Sequence, residues 1–399
     1  MGTLKQIIVV GRGPAGLYLS TLALAQGVGV TVIADGLGSC ALWGGHWDFV
    51  SRDEQGHVVQ DPWRWWEGRP PVPEADPVPR SVWRAWWQDL ARFWRQLGIV
   101  PDHEPPRTNR WLVTPVGTVR PVFLAPQWHW AEEEPRPVTL VGFHHFIDFP
   151  VEVAAQNYQQ ETGCRAEVLV LPHPPLWTPA WQPLQWAWYF DTDPGREWLK
   201  DALRAASAPA SLPLVFPQIL GVDRVDAVFS AIQAALGVAV GEIPLTPPSV
   251  GGLRVQRRWE RWLRRRGLRL WSAHAVRATA TSVELEDGRM LTADAVVLAT
   301  GGILGGGIQV AVNGAATDPL TGVDLGQATT PRDLGRLGYP RPEMAVPVVG
   351  RQVGGRDCDR QGMGGAMILW SGRRVWRHLE AAVGEEAPSR HEGNVGRLS

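Results

Sequence analysis

The stretch VVGRGPAG, residues 9–16, joins an apolar run to a glycine-rich turn near the start of the chain. Ile7–Val10 is predicted to be a strand, Leu17–Gln26 the helix after the turn, and Val30–Ile33 the next strand. The turn reads G-x-G-x-x-G: its first glycine permits a tight turn, its second lets the backbone approach a pyrophosphate, and its third lets helix and strand pack closely. Unpaired N–H groups at the start of the helix attract phosphates. This order predicts a bound dinucleotide or flavin, with a turn that holds no ligand as the alternative. The residues predicted to contact the cofactor are Gly11, Gly13, Pro14, Ala15 and Gly16.

An adenosine ribose is normally held by an acidic residue about 20 positions after such a turn. Here that position is Ala34, and Asp35 lies one residue beyond it. We therefore expect either that Asp35 reaches the ribose or that the adenosine half is absent or loosely held. Farther on, Ser39 is a candidate contact to a phosphate oxygen. Gly44 and Gly45 would let the backbone lie flush on a flat ring, although an ordinary turn is the alternative.

Two more glycine bends follow much later in the chain. The strand Ala295–Ala299 runs into Thr300-Gly301-Gly302, and we expect it to return to the sheet that contains Ile7–Val10. A third glycine-rich stretch precedes an apolar helix predicted over Ala366–Leu379, whose N–H groups would stabilise negative charge on the reduced flavin. A packing turn is the alternative for the third bend. We predict that all three bends surround a single isoalloxazine. The cofactor residues predicted from the two later bends are Ala299, Thr300, Gly301, Gly302, Gly355, Asp357, Gly362, Gly364 and Gly365.

The composition excludes several classes of protein. The chain carries 39 Lys and Arg against 40 Asp and Glu, which argues against a general nucleic-acid binder. Its three cysteines form no C-x-x-C pair, so neither a zinc site nor an iron–sulfur cluster is indicated. No signal peptide is visible, and no segment approaches the roughly 18 apolar residues of a membrane span. We expect a soluble protein in a reducing compartment.

The middle of the chain is predicted to be an inserted α/β domain, because strand and helix patterns alternate from Val138 to Leu236. The predicted boundaries are 61–245 for this cap, substrate or partner domain, and 1–60 with 246–399 for a discontinuous flavin-binding domain. A tryptophan-rich stripe over 81–97 has helical spacing and faces either the core or a partner. The arginine-rich helix that ends near Arg266 is predicted to present a solvated face, with a phosphate or anionic-lipid contact as the alternative.

The candidate catalytic and substrate residues are scattered. His46 and Asp48 follow the glycine pair and are candidate bases for a substrate hydroxyl proton. Arg120, His144 and His145 are candidates to line a substrate site in the inserted domain. The adjacent histidines do not indicate a metal, because they point to opposite sides of a strand and no further ligand has useful spacing.

Several collinear blocks resemble the B-subunit of anaerobic glycerol-3-phosphate dehydrogenase. They include the opening GRGPAGL, WGGHWDFVS at 43–51, PLTPPSVGGLRVQ at 244–256, AVVLATGGILGGGIQV at 295–310 and VGGRDCDRQGMGGAM at 353–367. The last block departs from the family pattern at Arg356, Cys358 and Met363, where an aromatic residue, proline and cysteine are common.

The resemblance implies an α/β two-dinucleotide-binding-domain flavoprotein, a Rossmann-like FAD/NAD(P)-binding fold. It further implies a glycerol-3-phosphate dehydrogenase (quinone) that oxidises sn-glycerol 3-phosphate to dihydroxyacetone phosphate under anaerobic conditions. Electrons would pass to the quinone pool, with fumarate or nitrate as the terminal acceptor. The cofactor would be a flavin, with FMN favoured and FAD the alternative. The implied partners are the membrane-docked iron–sulfur C-subunit of the complex, together with its catalytic A-subunit. The implied location is the cytoplasmic face of the cell membrane.

Two other functions are compatible with the same residues. The chain could be a flavin electron-relay or assembly subunit of that complex, with no substrate site of its own. It could also be a stand-alone flavin oxidoreductase of the fumarate-reductase kind.

Overall fold

The computed structural model describes residues 4–207 and 211–384, which divide into two compact units. Unit 1 comprises 1–39, 47–107 and 258–399, and unit 2 comprises 40–46 and 108–257. The first and last ranges include residues outside the described part.

The strands and helices alternate along most of the chain. The strands are β1 (Gln6–Val10), β2 (Gly29–Ala34), β3 (Arg110–Val113), β4 (Val119–Val122), β5 (Ala131–Glu132), β6 (Val138–Phe143), β7 (Ala166–Leu171), β8 (Leu214–Pro217), β9 (Val240–Ile243), β10 (Arg269–Ser272), β11 (Ala275–Ala278), β12 (Ser282–Leu285), β13 (Met290–Thr292), β14 (Ala295–Leu298), β15 (Gln309–Val310), β16 (Ala315–Thr317) and β17 (Asp324–Gln327). The helices are α1 (Pro14–Ala25), α2 (Pro62–Trp65), α3 (Arg80–Gln96), α4 (Val151–Thr162), α5 (Pro183–Phe190), α6 (Asp193–Ala205), α7 (Val225–Leu236), α8 (Val250–Arg264), α9 (Pro331–Leu334), α10 (Cys358–Gln361) and α11 (Gly364–Gly384).

Unit 1 is built on a parallel sheet with strand order β10-β2-β1-β14. The predicted return of the later strand to the first one is confirmed, because Ile7 pairs with Ala295 and Val10 with Leu298. The chain passes from β1 to β2 on one side of β1, whereas β14 lies on its other side, so the sheet has a topological switch point between β1 and β14. Ligands of parallel α/β sheets bind at the carboxyl ends of the strands at such a point. The first two predicted glycine bends begin at this edge of the sheet.

Helix α1 connects β1 to β2, as the opening stretch predicts. Gly13 is its extended N-cap and Pro14 fills the first helical position, where a missing N–H costs nothing. Gly27 follows its C-terminus with φ of +77°, a conformation that ends helices and favours glycine.

The tryptophan-rich segment packs into unit 1, although the predicted boundaries assigned 61–107 to the inserted domain. The apolar stripe of α3 is buried, which confirms the core-facing interpretation; Trp87 and Trp94 are 0 % exposed. Their rings lie 6.2 and 5.7 Å from that of Trp47. Aromatic contacts with residues distant in sequence therefore place this segment in unit 1. A local sequence pattern cannot predict such contacts.

Unit 2 is also built on a parallel sheet, with order β7-β6-β8-β9. Residues 246–257, predicted in the flavin-binding domain, fall in unit 2. The physical reason is the close packing of the start of α8 on the segment 40–46. The Ser249 N–H donates to the Ala41 carbonyl at 2.7 Å, and a Cβ on Gly252 would lie 2.0 Å from the Cys40 carbonyl oxygen.

Candidate functional site

The first two glycine bends touch each other in unit 1. Gly11 has φ of +116°, and a Cβ there would lie 2.2 Å from the Ala299 carbonyl oxygen. The Ala299 N–H donates to the Val10 carbonyl at 2.7 Å. A Cβ on Gly16 would lie 2.0 Å from the Gly11 carbonyl oxygen, so the start of α1 is pressed against the turn. No side chain fits at Gly11 or Gly16, as the glycine pattern predicts.

Ser39 lies beside the first bend. A Cβ on Gly13 would lie 3.0 Å from the Ser39 Oγ, and a Cβ on Gly38 would lie 3.3 Å from the Gly13 nitrogen. The structure therefore places the predicted phosphate contact next to the N-cap of α1.

The second bend is held by a buried polar network. The Thr300 N–H donates to Gln352 Oε1 at 3.3 Å, and Gln352 Nε2 donates to Asp318 Oδ2 at 2.9 Å. The Tyr339 hydroxyl also donates to Asp318 Oδ2, at 3.1 Å, and burial raises the pKa of this tyrosine. Within the described residues, the buried Thr300 Oγ1 has no hydrogen-bond partner. Sequence reasoning missed Gln352 and Asp318, because neither belongs to a recognisable spacing.

Helices α1 and α11 run in the same direction, which brings their N-termini to one end. A Cβ on Gly350 would contact both helices, 2.7 Å from Ala15 Cβ and 3.6 Å from Ile368 Cγ1. Farther along, a Cβ on Gly372 would lie 2.8 Å from Tyr18 Cδ1. The second contact lies about 6 Å farther along α11 and about 4.5 Å farther along α1, at 1.5 Å per residue. Both positive helix termini therefore act on one region of unit 1.

The third bend rests on the segment that begins at Trp47. The Ala366 N–H donates to the Asp48 carbonyl at 3.1 Å, and a Cβ on Gly362 would lie 2.5 Å from Ser51 Oγ. Within the described residues, and apart from its own helix and chain neighbours, nothing lies within 4 Å of a Cβ position on Gly364. The side-chain Nε2 of Gln361, a residue that is 5 % exposed, has no hydrogen-bond partner within the same residues. Gly364 is exposed, so the N-terminus of α11 is open to solvent, and a helix N-terminus of this kind can bind an anionic or carbonyl-bearing ligand.

Other residues predicted from the later bends have packing roles. Asp357 caps α10, accepting from the Arg360 N–H at 3.1 Å. Gly355 has φ of +87° and packs on Pro73, and a Cβ on Gly302 would meet Arg351 Cγ at 2.7 Å. Gly301 adopts φ of +80°. These contacts and backbone conformations explain why aspartate or glycine occupies these positions, and no ligand is needed to explain them.

Asp35, the candidate ribose ligand, lies at the surface. Its side chain is 70 % exposed, and its Oδ2 lies 3.1 Å from His274 Nδ1. The carboxylate follows β2 directly, but solvent and a histidine surround it.

A second cluster of candidate residues lies in unit 2, around His46. Its ring centroid is 5.9 Å from that of His129. Burial lowers the pKa of His46 well below its ordinary value, and Arg120 and His129 lower it further. Burial, with a smaller effect of Arg254, lowers the pKa of His129 to about 3. Both imidazoles are therefore neutral near neutral pH, and Arg120 is the cation that acts on His46.

Hydrogen bonds fix the tautomer of His129. Gln218 Oε1 accepts from the Gly251 N–H at 3.0 Å, which orients the amide. Gln218 Nε2 then lies 2.7 Å from His129 Nε2 and donates to it, so the ring proton is on Nδ1. Sequence reasoning missed both residues, since a lone histidine and a lone glutamine carry no spacing signal.

The predicted glycine pair 44–45 belongs to this cluster of unit 2. Gly45 has φ of +98°, and a Cβ there would lie 3.2 Å from the Gly251 carbonyl oxygen. A Cβ on Gly44 would lie 3.1 Å from His46 Nδ1. Close packing thus requires glycine at both positions.

A buried ion pair stabilises the same unit. Arg254 and Glu242 are both 0 % exposed, and Arg254 Nη2 lies 2.9 Å from Glu242 Oε1. Arg254 Nε donates to the Gly221 carbonyl at 2.6 Å, and the Leu220 N–H donates to Glu242 Oε1 at 2.6 Å. Each charge is therefore paired and hydrogen-bonded, as a fully buried pair requires.

The other predicted substrate residues, His144 and His145, are exposed. The His145 ring stacks on Trp177 with 5.7 Å between centroids, and His173 stacks on Trp177 at 4.7 Å. His144 and His145 directly follow β6, and the His145 ring is part of this surface stack.

Metal sites and membrane spans are both absent from the described residues. In the part of the chain that the structure describes, no group of three or more His, Cys, Asp or Glu side chains could hold a metal ion. Among the same residues, no helix is both long and apolar enough to cross a bilayer.

The chain has named relatives, although no family model matches it. A protein of Halobacterium salinarum, named as a probable B-subunit of anaerobic glycerol-3-phosphate dehydrogenase, is 29 % identical over 76 % of this chain and 75 % of the relative. The B-subunit proteins of Pectobacterium atrosepticum and Pectobacterium carotovorum are 25 % and 24 % identical, over 80 % and 87 % of this chain and 80 % and 85 % of their own lengths. These relatives confirm the resemblance to the B-subunit family.

Solved structures give distant likenesses. A tryptophan 5-halogenase is 14 % identical, with a TM-score of 0.32 over 94 % of this chain and 66 % of the halogenase. An iminodiacetate oxidase from Chelativorans is 12 % identical, with a TM-score of 0.31 over 97 % of each chain. The α/β assignment rests on the parallel sheets of the chain itself.

Proposed function

We propose that this chain is a flavin-binding subunit of an anaerobic glycerol-3-phosphate dehydrogenase. The reaction is the oxidation of sn-glycerol 3-phosphate to dihydroxyacetone phosphate, with electrons passed to the quinone pool and then to fumarate or nitrate. The observation that carries this proposal is the set of glycine bends at the carboxyl edge of the unit 1 sheet, beside the parallel helices α1 and α11. The names of the relatives supply the substrate.

In this proposal the cofactor phosphate binds at the N-cap of α1, where Gly13 and Ser39 supply a backbone N–H and a hydroxyl. The start of α11 at Gly364 faces the flavin ring and stabilises negative charge on its N1–C2=O edge. When bound, the flavin supplies the acceptor for a hydride from C2 of the substrate. FMN is favoured over FAD because Asp35 is exposed and close to His274, and FMN needs no ribose contact there.

The substrate oxidation also requires a group that takes the hydroxyl proton and a cation that holds the phosphate. A neutral His46 with a strongly lowered pKa is a poor proton acceptor near neutral pH, and acts instead as a hydrogen-bond donor to oxygen. Asp48 is then the candidate base, and Arg120 the candidate phosphate contact. His144 and His145 remain candidate substrate contacts at the surface of unit 2.

A second candidate function is a flavin electron relay without a substrate site of its own. The observation that favours it is the burial of His46 and His129, which lowers both pKa values and makes each imidazole a weak proton acceptor. The catalytic A-subunit would then oxidise the substrate. In either case we propose that this partner, with the iron–sulfur C-subunit, holds the chain at the inner face of the cell membrane. A stand-alone flavin oxidoreductase is the third candidate, and a screen of other donors and acceptors tests it.

Purification followed by a visible spectrum tests the proposal. Flavin released by heat and identified by mass distinguishes FMN from FAD. Anaerobic bleaching by glycerol 3-phosphate in the absence of the A-subunit supports an intrinsic substrate site, whereas bleaching only in its presence supports the relay. A colourless protein that takes up neither flavin overturns both.

A further inference from the structure

The C-terminal end of α8 and the start of β10 form an exposed, positively charged surface of unit 1. Its four arginines, which we call the basic patch, are Arg264, Arg265, Arg266 and Arg269. We propose that the basic patch is a docking surface for the anionic headgroups of a lipid bilayer. This chain makes the contact itself, separately from any partner subunit, and the inference does not depend on the proposed flavin site.

The basic patch lies in a stretch without acidic residues. From 261 to 283 the sequence contains six arginines and no aspartate or glutamate, although the whole chain has 39 basic and 40 acidic residues. All four arginines of the patch are exposed, and within the described residues none of them forms an ion pair. By contrast, Arg257 on the same helix lies 2.6 Å from Asp223. Positive charge is therefore concentrated at this end of α8.

A tight turn brings the arginines together. Helix α8 ends at Arg264, whose carbonyl accepts from the Gly267 N–H at 3.1 Å, and the Leu263 carbonyl accepts from the Leu268 N–H at 3.1 Å. Gly267 has φ of +96°, and β10 begins two residues later at Arg269. Both leucines are buried, whereas the arginines around them are exposed. The turn therefore buries its apolar residues in unit 1 and leaves its charges at the surface.

The edge strand β10 adds an aromatic border to the basic patch. Arg269 and Trp271 lie on the same face of this outer strand, because alternate residues of a strand share a face. Trp271 is partly exposed, and the guanidinium carbon of Arg289, which pairs with Asp287, lies 5.1 Å from its ring. Met290 follows with 53 % of its surface exposed. Indoles prefer the boundary between water and lipid, so this border favours a bilayer over a nucleic acid or an acidic protein.

The acidic residues that flank this stretch do not neutralise the basic patch. Glu260 precedes it and lies 3.0 Å from Arg12, whereas Glu284 follows it and lies 3.7 Å from Arg277. Each carboxylate therefore pairs with an arginine outside the patch.

Helix stability alone does not explain the basic patch. The negative C-terminal end of the α8 dipole favours cations in the last turn, which is a reason for Arg264 and Arg265. Arg266 also packs, because its guanidinium carbon lies 3.5 Å from the Trp262 ring. Neither reason applies to Arg269, which belongs to β10, and adjacent like charges repel one another. An anionic surface would relieve that repulsion.

The size of the expected effect follows from the number of charges. An arginine near an anionic leaflet strengthens binding about fivefold, so the loss of three should weaken it about 100-fold. The screening length falls from about 30 Å at 0.01 M salt to about 10 Å at 0.1 M, so binding should also weaken as salt is added.

The test measures sedimentation of the purified full chain with lipid vesicles. One set of vesicles is phosphatidylcholine alone, and the other contains equal parts of phosphatidylcholine and phosphatidylglycerol. Wild type should bind the anionic vesicles in dilute salt and leave the neutral ones unbound. The patch variant combines Arg264→Gln, Arg265→Gln and Arg269→Gln, and it should bind the anionic vesicles about 100-fold more weakly. Arg266 is left in place because of its contact with Trp262.

The matched control combines Arg332→Gln, Arg336→Gln and Arg341→Gln. These arginines of unit 1 are also exposed and form no ion pair within the described residues, so the control loses the same net charge elsewhere. It should bind as wild type does. Urea unfolding should give the same midpoint for all three proteins, and the comparison of the two vesicles with wild type tests the inference without any variant.

Three results would overturn the inference. The first is wild type that ignores anionic vesicles in dilute salt, and the second is a folded patch variant that binds them as tightly as wild type. The third is a different ligand for the same arginines. Polyuridylic acid that binds more tightly than the vesicles would indicate a nucleic acid, and release by inorganic phosphate beyond that by sodium chloride of equal ionic strength would indicate a small phosphate site.

Discussion

Replacing Gly11 by alanine tests whether contact between the first two bends is needed for cofactor binding. Gly11 has φ of +116°, and an added Cβ would lie 2.2 Å from the Ala299 carbonyl oxygen. Ordinary contact begins at 3.4 Å, so the bends must separate by 3.4 − 2.2 = 1.2 Å. The left-handed conformation costs alanine about 1–2 kcal/mol. Forcing an extra carbon into a packed site costs a further ~1–3 kcal/mol.

Gly27→Ala is the matched control, because Gly27 also has a positive φ, +77°, but nothing lies within 4 Å of its Cβ position. It should lose about 1 kcal/mol of unfolding free energy and keep flavin affinity. Gly11→Ala should lose about 2–5 kcal/mol and bind flavin much more weakly. Urea unfolding and titration with flavin, followed by its fluorescence, measure both quantities. Equal losses in the two variants, with flavin affinity intact in Gly11→Ala, would refute the reasoning.

Three further changes probe other parts of the structure. Arg254→Met should lower the free energy of unfolding, measured in urea, by about 3–5 kcal/mol because Glu242 is left buried and unpaired. Arg257→Met, at an exposed ion pair, is the control and should lower it by less than about 1 kcal/mol. Similar losses in the two variants would contradict the buried-pair argument. Asp35→Asn should leave flavin affinity unchanged, and a marked loss in a binding titration would instead indicate an adenosine ribose contact and FAD. The pKa of His129 is lowered to about 3 in the folded protein, so its contribution to stability is complete above about pH 6.5 and is lost as pH falls toward 3, at about 1.4 kcal/mol per pH unit. In His129→Gln the dependence of unfolding free energy on pH should be shallower by one proton, and an unchanged slope would show that this histidine is protonated in the folded state.

The sequence was most informative where a pattern is local. The alternation of strand, turn and helix over the first 34 residues predicted β1, α1 and β2 nearly to their observed ends. The tryptophan spacing over 81–97 identified the buried face of α3. Such periodicities reflect which side of one element meets the core, and they can be recognised without knowing what covers that side.

Long-range pairing produced the differences. The predicted boundaries divided the chain near 60 and 246, whereas aromatic contacts bring 61–107 into unit 1 and α8 begins in unit 2. His129, Gln218 and Gln352 were missed, since each is a single polar residue whose partners lie far away in sequence. Arg120 and His46 were proposed separately, and the structure brings them close enough for Arg120 to lower the pKa of His46.

The sequence by itself determined that glycine must occupy the bends at residues 11–16 and 299–302 and that a helix must follow the first, because tight turns and close backbone approach exclude side chains. The sequence also predicted that the strand before the second bend returns to the sheet beside the first bend. Only the tertiary structure decided how closely the two bends approach each other and that the N-termini of α1 and α11 lie at the same end. It also decided that Asp35 remains in solvent. These facts depend on the free energy of packing residues hundreds of positions apart, which no local pattern encodes.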